Sequence, residues 1–147
     1  TKWVDVLKYA TGGTIISRAL PDEWKNAIYY ELVNRNKLDY LPYASSAIFY
    51  MGFPTSCVNW HPDYLEYDAM SIYLNREWDS NWGGWFAWTE ENKGVDQYGY
   101  NPKQGQFYSP QYNTGVYSTE REWHCTTPLA TVAPPRISIQ LFFSKKT

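Results

Sequence analysis

Trp78-Asp79-Ser80-Asn81-Trp82-Gly83-Gly84-Trp85-Phe86-Ala87-Trp88 carries four of the chain's eight tryptophans in eleven residues, and the fold turns on how this run folds. Trp78, Trp82 and Trp85 recur at helical spacing. Asp79, Ser80 and Asn81 ahead of Gly83-Gly84 nevertheless form a turn signal that a stable helix would have to override. The run therefore predicts a strand ending near Trp78, a loop, and a second strand starting near Trp85. Two short strands and a polar loop cannot bury four indoles by themselves, so part of this surface is expected to stay near solvent and to meet a ligand.

Upstream of the run, Met70 to Trp78 alternates with period two, Met70, Ile72 and Leu74 on one face and Ser71, Tyr73 and Asn75 on the other. Before it, Cys57 to Asp68 reads as a polar and aromatic loop, and Ala47 to Phe53, apolar on both faces, reads as a central strand closed by Pro54. Leu20 to Asn36 is the one convincing helix. Pro21 suits its first turn, Asp22 and Glu23 its positive end, and Trp24, Ala27, Ile28 and Leu32 form its apolar stripe, with Trp24 and Trp78 expected in the core. Trp3 to Tyr9 alternates as a short strand, with Trp3 also expected in the core.

Downstream, Glu90 to Ser118 is rich in Gly, Asn, Gln, Pro and Tyr and nearly empty of aliphatic residues, which predicts long functional loops. Tyr117 to His124 reads as a strand. Ile137, Ile139, Leu141 and Phe143 alternate with Ser138 and Gln140 in a strong final strand after Pro134-Pro135. The fold class expected is α+β, mainly β: antiparallel sheets, one amphipathic helix near the N-terminus, and long aromatic, Gly- and Asn-rich loops, lectin-like in outline.

The 147 residues make one domain, 1–147, large enough to bury a core without a disulfide framework. A start at Thr1-Lys2-Trp3 with no initiator Met predicts a terminal binding module of a larger protein. Cys57 and Cys125 allow one long-range bridge or two separate thiols. No apolar run approaches a spanning helix, so no membrane insertion is expected. Net charge is −2, with acids and bases scattered singly, and nucleic acid is not an expected partner. The absence of an Asn-x-Ser/Thr sequon leans away from a eukaryotic secreted glycoprotein.

Aromatic content of 19%, from 14 Tyr, 8 Trp and only 6 Phe, favours rings with a polar handle, the character of a recognition surface. For any single tyrosine, a strand position in a β-rich core is the better reading. Sugars offer an apolar face for such rings and hydroxyls for amides and short acids. The expected ligand site is Trp82, Trp85, Tyr98, Tyr100 and Tyr112, with Asp79, Asn81, Asn101 and Gln104 as hydroxyl partners.

Competing chemistry is weaker at this level. Asp63, Glu66, Asp68, Glu77 and Asp79 could supply the paired carboxylates of a small glycoside hydrolase, but nothing in their spacing fixes a separation. Cys57, His61, His124 and Cys125 form a nominal zinc set, yet neighbours on a strand point to opposite faces, so His124 and Cys125 cannot both ligate unless they lie in a turn. No metal, no cofactor and no catalytic residue are expected.

An early helix followed by tryptophan-rich strands resembles the C-type lectin fold. The Glu-Pro-Asn or Gln-Pro-Asp tripeptide of that family is absent, Asn101-Pro102-Lys103 being a poor substitute, and two cysteines cannot form its paired disulfides. The composition also resembles the receptor-binding tip of a phage tail fibre. Together these readings predict a non-enzymatic domain that binds a cell-surface glycan, an extracellular or virion-surface location, and a homo-oligomer. A glycoside hydrolase and a structural or oligomerisation module are the alternatives.

Overall fold

Ile137, Ile139, Leu141 and Phe143 alternate with Ser138, Gln140 and Phe142, and the strand they form, Arg136–Ser144, is the middle of a sheet. The computed structural model describes residues 10–36, 38, 41–63, 67–91, 102–119 and 122–144. In chain order the elements are β1 (Ala10–Gly12), β2 (Ile15–Ala19), α1 (Asp22–Asn36), β3 (Ala44–Gly52), β4 (Cys57–His61) and β5 (Tyr67–Tyr73). A 3-10 turn (Ser80–Trp82), β6 (Phe86–Thr89), β7 (Gln106–Tyr108), β8 (Gly115–Ser118), β9 (Trp123–Thr126) and β10 (Arg136–Ser144) follow. Two antiparallel sheets of five strands result, ordered β2-β3-β10-β5-β8 and β1-β4-β9-β6-β7. Between β3 and β10 the chain crosses repeatedly from one sheet to the other, so the two sheets face each other across one cavity lined by both.

The first sheet has two buried faces. Its outer face places Ala44, Ala47, Met70, Ile72, Leu141 and Phe143 against Ile28, Tyr29 and Leu32 of α1. Leu141 and Phe143 are fully buried there, each worth about 1.5–3 kcal/mol. That term fixes the register of β10, because a slip of one residue would exchange them for Gln140 and Phe142 and turn the polar face into the core. The inner face carries Ser71, Ser138 and Gln140 toward the cavity. This explains β5, where Met70, Ser71, Ile72 and Tyr73 are all buried although the residues alternate.

The mainly β, antiparallel class with a single described α-helix agrees with expectation. Details do not. Trp24 is 61% exposed, not core. The helix is turned by about one residue from the expected stripe, so that Lys25, Ile28, Tyr29 and Leu32 face inward. The stem of Lys25 is covered while its Nζ reaches Asp22 Oδ1 at 2.9 Å, so a lysine stem fills the place given to an indole. Cys57 to His61 is strand, not loop, and its polar residues misled because Cys57 and His61 face the cavity. The strand expected to reach Trp78 ends at Tyr73. The stretch from Glu90 to Ser118 contains β7 and β8. Cys57 and Cys125 are not joined by a disulfide. The strand expected over Trp3 to Tyr9 lies outside the described residues. Among the described residues no helix is long and apolar enough to cross a membrane.

Candidate metal centre and cavity

β4 ends at His61 because Pro62 has no N–H to continue the ladder and holds the residue before it extended. β9 lies beside β4 in antiparallel register, with His61 opposite His124. The two imidazole centroids are 4.5 Å apart. Asp63, two residues beyond His61, completes the group: its Oδ1 is 3.9 Å from His61 Nε2 and its Oδ2 3.6 Å from His124 Nε2. One ligand atom from each residue lies within 4.8 Å of the others.

Hydrogen bonding fixes the state of both rings. His61 Nδ1 is 2.6 Å from the carbonyl oxygen of Asn59, and His124 Nδ1 is 2.8 Å from that of Glu122. A carbonyl only accepts, so each Nδ1 carries a hydrogen and each Nε2 is the nitrogen left facing Asp63. Burial, with His124 adding to it, pushes the His61 imidazolium down to about 4, so that ring is neutral near pH 7. Two imidazoles oriented by backbone carbonyls and one carboxylate are a donor set suited to a divalent metal. Ligand atoms each about 2.1 Å from one ion are at most about 4.2 Å apart; the two nitrogen–oxygen separations, each to a different oxygen of Asp63, lie below that, while the set as a whole is bounded by 4.8 Å and would close slightly onto an ion.

The cavity has a volume of about 470 Å³, within the range of small-molecule sites. Its second charged feature is Arg136, at the start of β10 and 8% exposed. Among the described residues no carboxylate pairs with its guanidinium, and Nε has no hydrogen-bond partner. Its neighbours are Ser138 Oγ, 3.5 Å from Nη1, and the ring of Tyr73, whose centroid is 4.9 Å from Cζ. Burial lowers the guanidinium from its usual value, with Tyr73 acting against the shift. Tyr50, the register partner of Ser138, also lines the cavity, and burial raises its phenol to about 12, which keeps it an O–H donor near neutrality.

The tryptophan run lies below this cavity as a brace. Asp79 Oδ1 accepts from Asn81 N at 2.8 Å and from Asn81 Nδ2 at 3.0 Å, capping the 3-10 turn. Trp78 Nε1 donates to the Gly83 carbonyl at 3.0 Å and Trp85 Nε1 to that of Ser80 at 2.8 Å. Trp82 packs edge-on against Trp78, and Trp85 stacks on Phe107 at 4.3 Å. The loop is tied to the β9–β10 connection by Ala130 N to Trp82 O and Thr127 N to Trp85 O, both 2.9 Å. It therefore supports the turn that joins the strand of His124 to the strand of Arg136.

The residues expected to bind a ligand do not gather in the cavity. Asp79, Asn81, Trp82 and Trp85 are bound to one another and to that brace. Gln104 and Tyr112 are exposed, Tyr112 with Arg76 5.7 Å from its ring centroid. Tyr98, Tyr100 and Asn101 lie outside the described residues. The residues that do gather were legible in one signal: a His-x-Asp at the end of one strand with a second histidine on a later strand. Of the nominal zinc set, His61 and His124 come together with Asp63, and Cys125 points away from the cavity as strand alternation requires.

Two facing five-stranded antiparallel sheets around a cavity that holds a candidate metal-ligand cluster define a jelly-roll domain with that cluster inside the barrel. Solved structures sharing this fold include an oxidoreductase of the 2OG-Fe(II) oxygenase family from Burkholderia pseudomallei, at TM-score 0.65 and 15% identity over 94% of this chain and 72% of that one. A Pseudomonas putida prolyl-4-hydroxylase matches at TM-score 0.61 and 15% identity, over 91% and 73%. A Trichoplax adhaerens prolyl hydroxylase, in complex with a hypoxia inducible factor oxygen degradation domain peptide fragment, matches at TM-score 0.63 and 13% identity, over 90% and 63%. At these identities the likeness establishes the fold. No protein-family model matches the sequence, and a search of curated proteins finds no match. The expectation of a non-enzymatic carbohydrate-recognition module, with its viral-fibre and host-attachment corollary, is corrected by these likenesses. The indole N–H groups of Trp78 and Trp85 are engaged within the loop itself, while Tyr108 and Tyr112 keep exposed rings.

Proposed function

We propose that this protein is an iron(II)-dependent oxygenase that consumes 2-oxoglutarate as co-substrate. The observation that carries the reading is the placement in one cavity of His61, Asp63 and His124 with a buried guanidinium, Arg136, that pairs with no carboxylate among the described residues. Two histidines and one carboxylate leave open positions on a metal and are the ligand set of non-haem iron oxygenases. Bound iron would supply dioxygen activation coupled to oxidative decarboxylation of the 2-oxo acid. The fold relatives that carry this chemistry in their names support the reading.

The chain's own residues divide the work. His61, Asp63 and His124 would hold the ion, each imidazole locked by its carbonyl partner so that no ring rotation is needed on binding. Arg136 would take the distal carboxylate of the dicarboxylate, because a buried cation and a buried anion each lose most of their desolvation cost when paired. Ser138 and Tyr50 stand beside it as hydroxyl donors. Phe86, Val58, Ile48 and Leu129 line the same cavity and keep water from the reacting groups. Phe86 also stacks on His124 at 5.2 Å and fixes the plane of that ring.

The test is anaerobic mixing of the protein with iron(II) and 2-oxoglutarate. A visible charge-transfer band should form only when both are present, and should disappear in Asp63→Ala. On admitting oxygen, succinate should be released in an iron-dependent manner. If neither the band nor succinate is seen while iron binds elsewhere on the chain, the reading fails.

A further inference from the structure

With Asp63 and Arg136 engaged as above, on which this inference rests, the remaining cavity wall carries no charged side chain among the described residues. An ionised substrate group entering it would be desolvated with no counter-ion, which is strongly unfavourable. A neutral group would meet hydrogen-bonding side chains on the inner face of the first sheet. Gln140, on β10, is the central one, flanked in register by Ile48 of β3 and Ser71 of β5. Ser71, 8% exposed, donates its Oγ–H to Gln140 Oε1 at 3.2 Å. With the amide oxygen taken by Ser71, the NH₂ group of this cavity-lining residue is left as a donor with no acceptor among the described residues. Ser46 adds a hydroxyl on the same wall, whereas the Ser45 hydroxyl is used by the Phe142 carbonyl.

We infer that the part of the substrate entering the barrel is an uncharged, carbonyl-bearing group of the amide class, read by the NH₂ of Gln140 with Ser71 as a positioning residue. Peptide-like or N-acylated amides fit this wall; free amino acids and small carboxylates do not. The alternative is that the Ser71–Gln140 bond only ties β5 to β10.

The experiment uses full-length protein loaded with Zn(II), as a redox-silent and diamagnetic metal, and 2-oxoglutarate, with loading confirmed by calorimetry in wild type, Gln140→Leu and Ser71→Ala. A panel of N-acetylated amino-acid amides is titrated against the matched free amino acids while the Gln140 side-chain NH₂ resonance is followed. At least one amide should move that resonance, and its affinity should fall about tenfold in Gln140→Leu and less in Ser71→Ala. Free amino acids should leave the resonance in place. Tighter binding of the free amino acids, an amide affinity unchanged in Gln140→Leu, or no response to any amide overturns the inference while the loading result stands. Failure to load would remove the underlying reading itself.

Discussion

His61 and His124 are register partners on β4 and β9, their ring centroids 4.5 Å apart and both Nδ1 atoms held by backbone carbonyls. On the proposed reading this pairing orients the ligands in advance, since the Nε2 atoms of both rings already face Asp63. A divalent ion should therefore stabilise the folded state by mass action. At about a hundredfold excess over Kd the gain is about 2.7 kcal/mol, or roughly 5–10 °C in Tm for a domain of this size. Calorimetry with and without Mn(II) should show that rise in the wild type and none in His124→Ala or Asp63→Ala. An equal rise in either variant would place the metal elsewhere.

Arg136 should behave oppositely in the absence and presence of the dicarboxylate. Unliganded, it is a buried cation with a serine and a tyrosine ring for company, so Arg136→Met should leave folding stability within about 1 kcal/mol of wild type or raise it. With metal bound, the same change should weaken 2-oxoglutarate by about two orders of magnitude, because the carboxylate then enters a cavity without its partner. Denaturant titration reads the first effect and calorimetric titration of the Mn(II)-loaded protein the second. Loss of folding without loss of affinity would mean that Arg136 is structural.

The strands were legible wherever one face packs on the helix. Ile139, Leu141 and Phe143 announce β10, and Ala47 to Gly52 lies in β3 as its apolar run predicts. They were hidden where a strand faces the cavity, because there the inward residues are polar: Cys57 and His61 made β4 look like a loop. The same inversion hid the site. His61 and Asp63 stand in a segment that composition marks as polar surface, and their meeting with His124 depends on the register of β4 against β9, a pairing 63 positions apart that no local pattern encodes. The tryptophan run was conspicuous for a different reason: its indole N–H groups close a tight loop onto the β9–β10 connection. Ring content alone cannot separate a brace from a binding surface.

The two tryptophans that composition treats alike, Trp24 and Trp123, should differ widely on truncation. Trp24 is 61% exposed on α1, so Trp24→Ala should cost less than about 0.5 kcal/mol. Trp123 is 1% exposed on β9, next to the ligand His124, and its loss leaves a large void; Trp123→Ala should cost about 3–5 kcal/mol. Urea midpoints of both variants decide the matter. A large loss for Trp24→Ala would mean that its exposed ring is covered by some other surface in solution.

The adjacent glycines of the brace separate fold from site most sharply. Gly83 has φ +70°, and a Cβ there would lie 2.2 Å from the Pro128 carbonyl oxygen, which belongs to the backbone and cannot step aside. Gly83→Ala should thus cost at least about 2 kcal/mol and break the Gly83–Leu129 bridge. Gly84 has φ +65°, and its added Cβ would meet Arg136 Cδ at 3.0 Å, with Trp78 and Leu129 only slightly farther. The arginine stem can yield where the Pro128 carbonyl cannot. Gly84→Ala should accordingly cost about 1–2 kcal/mol from the left-handed backbone while displacing the guanidinium, so that the KM for 2-oxoglutarate rises with metal affinity unchanged. Denaturant midpoints, Mn(II) titration and 2-oxoglutarate kinetics on the two variants would show the contrast. A Gly84→Ala protein with wild-type KM would mean that Arg136 does not depend on the brace for its position.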